Sequence, residues 1–185
     1  MSTLQLPQLD SFSGSIKVGY GRDPNYQEWA PGDIELIEMK MRWNPSDQIR
    51  INFRLNQQNN RRPQDGSLVS SGTVPRLKVE YQLNKSLFLR FVGQYNSSYR
   101  DSLRDSSKDG MPIYFKNSDG TFNRASKQES NSLQTDFLFS YRPTPGTLVF
   151  VGYGSSMTEP QRYRFKSLER KSDGFFIKLS YVYRL

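Results

Sequence analysis

Apolar and polar residues alternate with a period of two in eight segments of this chain, the pattern that sends successive side chains to opposite faces of a β-strand. In the first segment Phe12, Ile16, Val18 and Tyr20 oppose Ser13, Ser15 and Lys17. In the second, Ile37, Met39, Met41 and Trp43 oppose Glu38, Lys40 and Arg42. The third sets Ile49, Ile51, Phe53 and Leu55 against Arg50, Asn52, Arg54 and Asn56, and the fourth Leu77, Val79, Tyr81 and Leu83 against Arg76, Lys78, Glu80 and Gln82. The fifth places Leu87, Leu89, Phe91 and Tyr95 opposite Phe88, Arg90, Val92, Gln94 and Asn96. The sixth opposes Leu133, Phe137, Phe139 and Tyr141 to Gln134, Asp136, Ser140 and Arg142. The seventh, Thr147 to Gly154, is apolar on both faces, so its phase is open. The last has Phe175, Ile177, Leu179, Tyr181, Tyr183 and Leu185 on one side and Phe176, Lys178, Ser180, Val182 and Arg184 on the other.

Short and long connections take turns. Asn44-Pro45-Ser46-Asp47, Asn84-Lys85-Ser86 and Pro143-Thr144-Pro145-Gly146 are tight turns built from turn residues. The intervening loops, near 22–33, 57–72, 98–132 and 155–172, are long. All long loops therefore leave one rim and all short turns the other. An even number of alternating strands of about ten residues, with this loop asymmetry, follows the rules of an outer-membrane barrel. The expected fold is all-β, an antiparallel up-and-down transmembrane β-barrel of about eight strands over residues 12–185, preceded by an N-terminal tail, 1–11.

Composition narrows the chemistry. With 185 residues, 14% aromatic and 35% hydrophobic, the chain is too aromatic for disorder and too polar for a helical membrane bundle. It contains no Cys and no His, which removes disulfides, thiolate metal sites, cysteine nucleophiles and the commonest general base. No enzymatic activity, cofactor or metal is expected.

The charge is placed unevenly. The polar strand faces hold Lys17, Lys40, Arg42, Arg50, Arg54, Arg76, Lys78, Arg90, Arg142, Lys178 and Arg184 against Glu38, Glu80 and Asp136, which accounts for the whole net charge of +8. If the apolar face turns inward, this is a soluble barrel or sandwich with a basic exterior and room for an apolar ligand. If it turns to lipid, the cations line a lumen. Strand length, loop asymmetry and aromatic residues near strand ends (Tyr20, Trp43, Tyr95, Tyr141 and Tyr183) favour lipid. The expected lumen-lining cations are Arg42, Arg50, Arg54, Arg76, Lys78, Arg90 and Lys178. An eight-stranded barrel has an interior only wide enough for side chains, too narrow for so many unpaired charges. The lumen is then wet, or plugged by something acidic, or the closed unit is larger than these eight strands. The last is the favoured expectation, with this chain as the C-terminal part of a larger barrel. The opening MSTLQLPQLD, which lacks the regions of a secretory signal, agrees with that expectation.

Residues 73 to 185 add a resemblance. The runs LKVEYQL (77–83), LFLRFVGQYN (87–96), FSYRPTPGT (139–147), VGY (151–153) and the ending DGFFIKLSYVYRL (173–185) resemble the C-terminal region of a bacterial family of unknown function. Its members carry a family-9-like carbohydrate-binding module followed by an outer-membrane barrel. The resemblance implies a bacterial outer-membrane location and, as partners, lipid, lipopolysaccharide and the barrel-assembly machinery, with an upstream carbohydrate-binding region or a partner chain. The module itself is absent, and the chain ends in Leu185 where many such barrels end in Phe. No catalytic motif accompanies the likeness.

Other local patterns carry less. Asp101, Asp105, Asp109 and Asn117-Ser118-Asp119-Gly120 have some calcium-loop spacing, but Arg100, Arg104 and Lys108 interleave and cancel the field. Met111–Phe115 and Thr121-Phe122 flank an Asp-Gly turn and suggest a small hairpin. Arg162, Tyr163, Arg164, Phe165, Lys166, Arg170 and Lys171 form a basic aromatic cluster, but Glu159, Glu169 and Asp173 break the coherent face that nucleic acid needs. No nucleic-acid partner is expected. The function implied is passive: a pore or membrane anchor whose basic lumen favours anions.

Overall fold

The computed structural model describes residues 2–7 and 9–182. Eleven strands form: β1 (Ser2–Gln5), β2 (Phe12–Asn25), β3 (Ala30–Ser46), β4 (Ile49–Arg61), β5 (Leu68–Asn84), β6 (Leu87–Arg100), β7 (Tyr114–Lys116), β8 (Phe122–Arg124), β9 (Gln128–Tyr141), β10 (Thr147–Glu159) and β11 (Glu169–Tyr181). Nine of them make one antiparallel sheet in the order β1-β2-β3-β4-β5-β6-β9-β10-β11. β7 and β8 form a separate hairpin, exposed throughout, around the Asn117–Thr121 turn.

The sheet is open. β1 and β11 are its edges and do not pair with each other, so these strands do not form a closed eight-stranded barrel. The expected tail also contains a strand, since Ser2–Gln5 pairs with Ser15–Val18. All eight principal segments are strands, but they run 13 to 17 residues and take in much of what sequence pattern assigns to loops. The register continues from Leu55↔Pro75 up to Asn60↔Ser70 through a stretch of Asn, Gln, Ser and Gly. Such residues satisfy the backbone ladder without any apolar alternation to reveal it. The long connections shrink to 26–29, 62–67, 101–127 and 160–168 at one end, while the three expected turns span two to five residues at the other, where residues 6–11 also join β1 to β2.

The register fixes two faces. On one, apolar positions form a band low in the sheet: Ile16 and Val18, Ile37 to Trp43, Ile51 to Leu55, Leu77 to Tyr81, Leu89 and Phe91, Phe137 to Tyr141, Val149 to Tyr153, and Phe175 to Tyr181. Four such positions span about 20 Å of strand at ~3.4 Å per residue. Toward the long loops the same face turns polar, with Glu35, Asn59, Arg61 and Ser71 hydrogen-bonded to one another and Ser97 bonded to Asn131. The opposite face carries the basic residues. It also settles the phase of β10: Val149, Val151 and Tyr153 lie with the apolar band, whereas Phe150 and Gly152 lie on the basic face. There the ring of Phe176 lies over Gly152, in the space a Cβ would take.

No second layer covers either face among the described residues. Buried hydrophobic residues are few (Ala30, Val69, Val92, Tyr95 and Leu103), while Phe137, Leu179 and Phe175 are 51%, 68% and 72% exposed. The accessible surface is 12957 Å². A compact folded monomer of this mass has about 9,200 Å².

What is buried sits among the long loops. Glu28, fully buried, takes a two-pronged bond from Arg62 (Nη2–Oε1 2.6 Å, Nε–Oε2 3.0 Å). Arg62 also donates to Asp101 at 2.9 Å, to the Ser67 hydroxyl and to the Ser102 carbonyl. Glu28 in turn accepts from the Arg104 amide and the Ser106 hydroxyl, so one ion network ties three connections together. Beside it, the 160–168 loop folds over β5 and β6. Tyr163 and Phe165 pack on the Tyr95 ring, and the Tyr95 hydroxyl donates to Glu159 and accepts from the Tyr163 amide. Arg162 donates to the Thr73 hydroxyl. Tyr163 and Phe165 have φ of 60° and 53°, a conformation costly for bulky residues that this packing holds in place. Tyr95, expected in an interfacial belt, is only 3% exposed and anchors this loop instead. Tyr20, Trp43 and Tyr141 are exposed on the apolar face, and Tyr183 lies outside the described residues.

Removing Arg62 would strand a buried carboxylate. Arg62→Ala should cost about 3–5 kcal/mol, read as loss of hydrogen-exchange protection in loops 26–29 and 101–106 with the lower sheet unaffected. The network is acid-sensitive through Asp101. Burial raises its carboxyl pKa, but the Arg62 bond and the charges of Arg62 and Arg104 outweigh that and leave it lowered. Its contribution is therefore complete above the ordinary Asp value of about 3.9 and is lost as pH falls through the lowered one. Hydrogen-exchange protection of these loops, corrected for the intrinsic exchange rate, should fall only below about pH 4.

Candidate anion-binding face

Alternation puts the cations of β3, β4 and β5 on one face, and the register decides which of them meet. One row crosses the sheet as Gln5, Ser15, Lys40, Arg54, Arg76, Gln94, Gln134 and Ser156. The next, toward the short turns, runs Ser13, Arg42, Asn52, Lys78, Val92 and Asp136. A third runs Arg50, Glu80, Arg90, Leu138, Gly152 and Phe176. Over β1 to β5 the first two rows line an open groove of about 850 Å³ that includes Lys40, Arg42, Arg54, Arg76 and Lys78. An adjoining groove of about 430 Å³ is lined by Arg42, Arg50, Lys78 and Glu80.

The expected lumen cations thus share one face, but not one place. Arg42, Arg50, Arg54, Arg76 and Lys78 converge on these grooves. Arg90 stands one strand over, directly opposite Glu80. Lys178 lies on β11 opposite Phe150, four strands from β5, or about 19 Å at ~4.8 Å per strand. Between them the face turns apolar, with Val92, Leu138, Phe150 and Phe176 where a uniformly basic surface would need polar side chains.

Few carboxylates answer these charges. Glu38 pairs with Lys17 at 3.6 Å and Glu80 with Lys78 at 3.0 Å. Asp136 lies in the row beyond Val92. Among the described residues Lys40, Arg42, Arg50, Arg54, Arg76 and Arg90 have no carboxylate within 4.0 Å, and Arg76 finds only the Gln94 side-chain carbonyl at 3.2 Å. Like charges directly opposite on neighbouring strands repel, so the Lys40–Arg54–Arg76 row works against the sheet that carries it. Sequence pattern gives the face of each cation, whereas the meeting of these three needs the register between strands.

The opposite face has a groove of about 570 Å³ between Tyr81, Leu89, Phe91, Phe137, Tyr153 and Phe175. Phe91 and Phe137 meet there with ring centroids 4.8 Å apart and planes tilted by 43°. In the 101–127 connection the acidic residues turn to their own backbone and hydroxyl neighbours: Asp105 to Ser107, Asp109 to Met111 and Asp119 to Thr121. The hydroxyl bonds from Ser107 and Thr121 hold the Asp105 and Asp119 carboxyls below their ordinary pKa. No group of three acidic, His or Cys residues is placed to hold a metal ion among the described residues. The sequence cluster at 162–171 does not form one basic face, because Arg162 and Tyr163 pack down onto the sheet and Arg170 pairs with Asp173 at 3.0 Å.

Compared with known proteins, the chain matches no family model, no curated protein and no solved structure.

Glu80 is the carboxylate nearest to Arg50, Lys78 and Arg90 in the register. Glu80→Gln should destabilise the sheet by about 0.5–1 kcal/mol at low ionic strength. Half-molar salt should erase most of the difference in denaturant midpoint, as screening replaces the lost charge.

Proposed function

We propose that this chain is part of an outer-membrane β-barrel acting as a passive pore or membrane anchor, with the basic face toward a water-filled lumen and the apolar band toward lipid. The observation that carries the reading is the exposed apolar band on a one-layer sheet whose other face is cationic. In water such a band is an aggregation surface far larger than monomers tolerate. In a bilayer it is the ordinary outside of a barrel, an apolar belt about 25 Å tall with aromatic residues at its margins. Trp43, Tyr81, Tyr141 and Tyr181 lie at its short-turn edge. The polar continuation of the same face toward the long loops fits strands that emerge from the membrane into water. Edge β11, thirteen residues long and exposed on both faces, needs a further strand for its open ladder. The reading therefore includes additional strands beyond these nine, in a barrel of the kind residues 73 to 185 resemble.

The rival reading is a soluble all-β module that takes an apolar ligand in the Tyr81–Phe91–Phe137–Phe175 groove and keeps its cations outside. Refolding with and without detergent separates the two. The membrane reading expects a β-type circular dichroism spectrum and a boiling-dependent gel mobility only in detergent; a single monodisperse species in plain buffer would reject it. A paired substitution adds direction. Phe53→Arg on the apolar face should cost about 2–4 kcal/mol of folding into lipid vesicles, while Gln134→Arg on the other face, level with Arg54 and opposite the neutral Gln94 and Ser156, should cost little. Equal costs would remove lipid from the account.

A further inference from the structure

We infer that Lys40, Arg54 and Arg76 form a discrete site for a dissolved linear polyanion of the oligophosphate class. The inference deepens the reading of a basic, lipid-averted face. Three observations lead to it. The register places the three side chains directly opposite one another on adjacent strands, in a row that contains no carboxylate. None of the three has an ion-pair partner among the described residues, although Glu38 and Glu80 lie nearby and are bonded to Lys17 and Lys78 instead. The row floors an open groove of about 850 Å³, large enough for an extended small anion.

The energetics point the same way. Two successive like-charge pairs across β3–β4–β5 oppose strand pairing. A sheet stabilised only by its own charges would place an acid in that row, as it does where Glu80 stands between Arg50 and Arg90. An anion with several charges removes the repulsion and gains charge-assisted hydrogen bonds, with the two guanidinium forks suited to non-bridging phosphate oxygens. The row is linear, with charges about 4.8 Å apart, so a chain of two or three phosphates can meet all three cations. A lone tetrahedral anion reaches fewer. Arg42, in the neighbouring row, adds to the field, and Asn52 opposite it in that row offers a neutral donor to the same groove. Because the site is on the face opposite the apolar band, its ligand is a solute rather than a lipid headgroup.

The test uses the full chain refolded in detergent and titrated calorimetrically with inorganic tripolyphosphate and with orthophosphate at low salt. Tripolyphosphate should bind at least tenfold more tightly than orthophosphate. Arg54→Gln should weaken it at least tenfold, while Arg100→Gln, near the long-loop rim on the same face, should change it less than twofold. Without ligand, Arg54→Gln should raise the unfolding midpoint, because a like-charge neighbour is gone; added tripolyphosphate should raise the midpoint of the unsubstituted chain and not that of the variant. Equal losses in the two variants would mean a diffuse field and no site. Equal binding of the two phosphates, or a lowered midpoint in Arg54→Gln, would overturn the linear site just as well. These outcomes leave the barrel reading standing, whereas folding without detergent would overturn that reading and leave the binding comparison intact.

Discussion

A sheet with nothing packed behind it has to be held by its own ladders. Most domains derive their cohesion from a core between two layers. Here nine strands in one layer leave apolar side chains exposed on one face and cations on the other. Backbone pairing and cross-strand contacts such as Phe91–Phe137 hold the strands to one another. They cannot hide the band from water. Three features follow from that constraint: the apolar band stays exposed, the edge ladders stay open, and the true packing is displaced to the rim where the long connections meet.

The rim is organised as a small soluble protein would be. Glu28, Arg62 and Asp101 come from three separate connections, and their burial is tolerable because each charge is answered at hydrogen-bond distance. Tyr95 and Glu159 do the same for the 160–168 loop, whose two left-handed aromatic residues would not persist without that packing. Two regimes thus meet along single strands. β6 runs from Leu89 and Phe91, set in the apolar band, to Tyr95 and Ser97, buried beneath loop and polar neighbours.

How much of this was legible in the sequence depends on which force shaped each part. Alternation of apolar and charged residues marks seven of the eight principal strands together with their faces, because a one-layer sheet with two different environments imposes period two most strictly. β10, apolar on both sides, shows as a strand but takes its phase only from the register. The upper strand ends did not show, since Gln57 to Asn60 and Ser70 to Gly72 pair through backbone groups that carry no pattern. β1 was missed because four residues of mixed character are too few for a period to register. Tyr95 looked like a belt aromatic from its place in β6; its burial depends on Tyr163, almost seventy residues away. Parity alone sets the expected cations on one face, as the register does. It does not set their grouping, because parity says nothing about which residues of different strands stand level. That needs the register, and register brings Arg54 between Lys40 and Arg76 while sending Lys178 to the far edge.

The unevenness of the basic face bears on how the proposed barrel would be completed. Its cations crowd β3 to β5, and from β9 onward the same face shows Leu138, Phe150 and Phe176 up to the unpaired edge. Lining a wide aqueous channel with those residues would expose them for no gain in solubility. In the proposed barrel they would be better matched to an apolar segment folded against them. On that argument the open water path of the proposed barrel runs along β2 to β6. In that proposed barrel the groove floored by Lys40, Arg54 and Arg76 would lie on the path, and the asymmetry of the face would divide a water-lined half from a packed one.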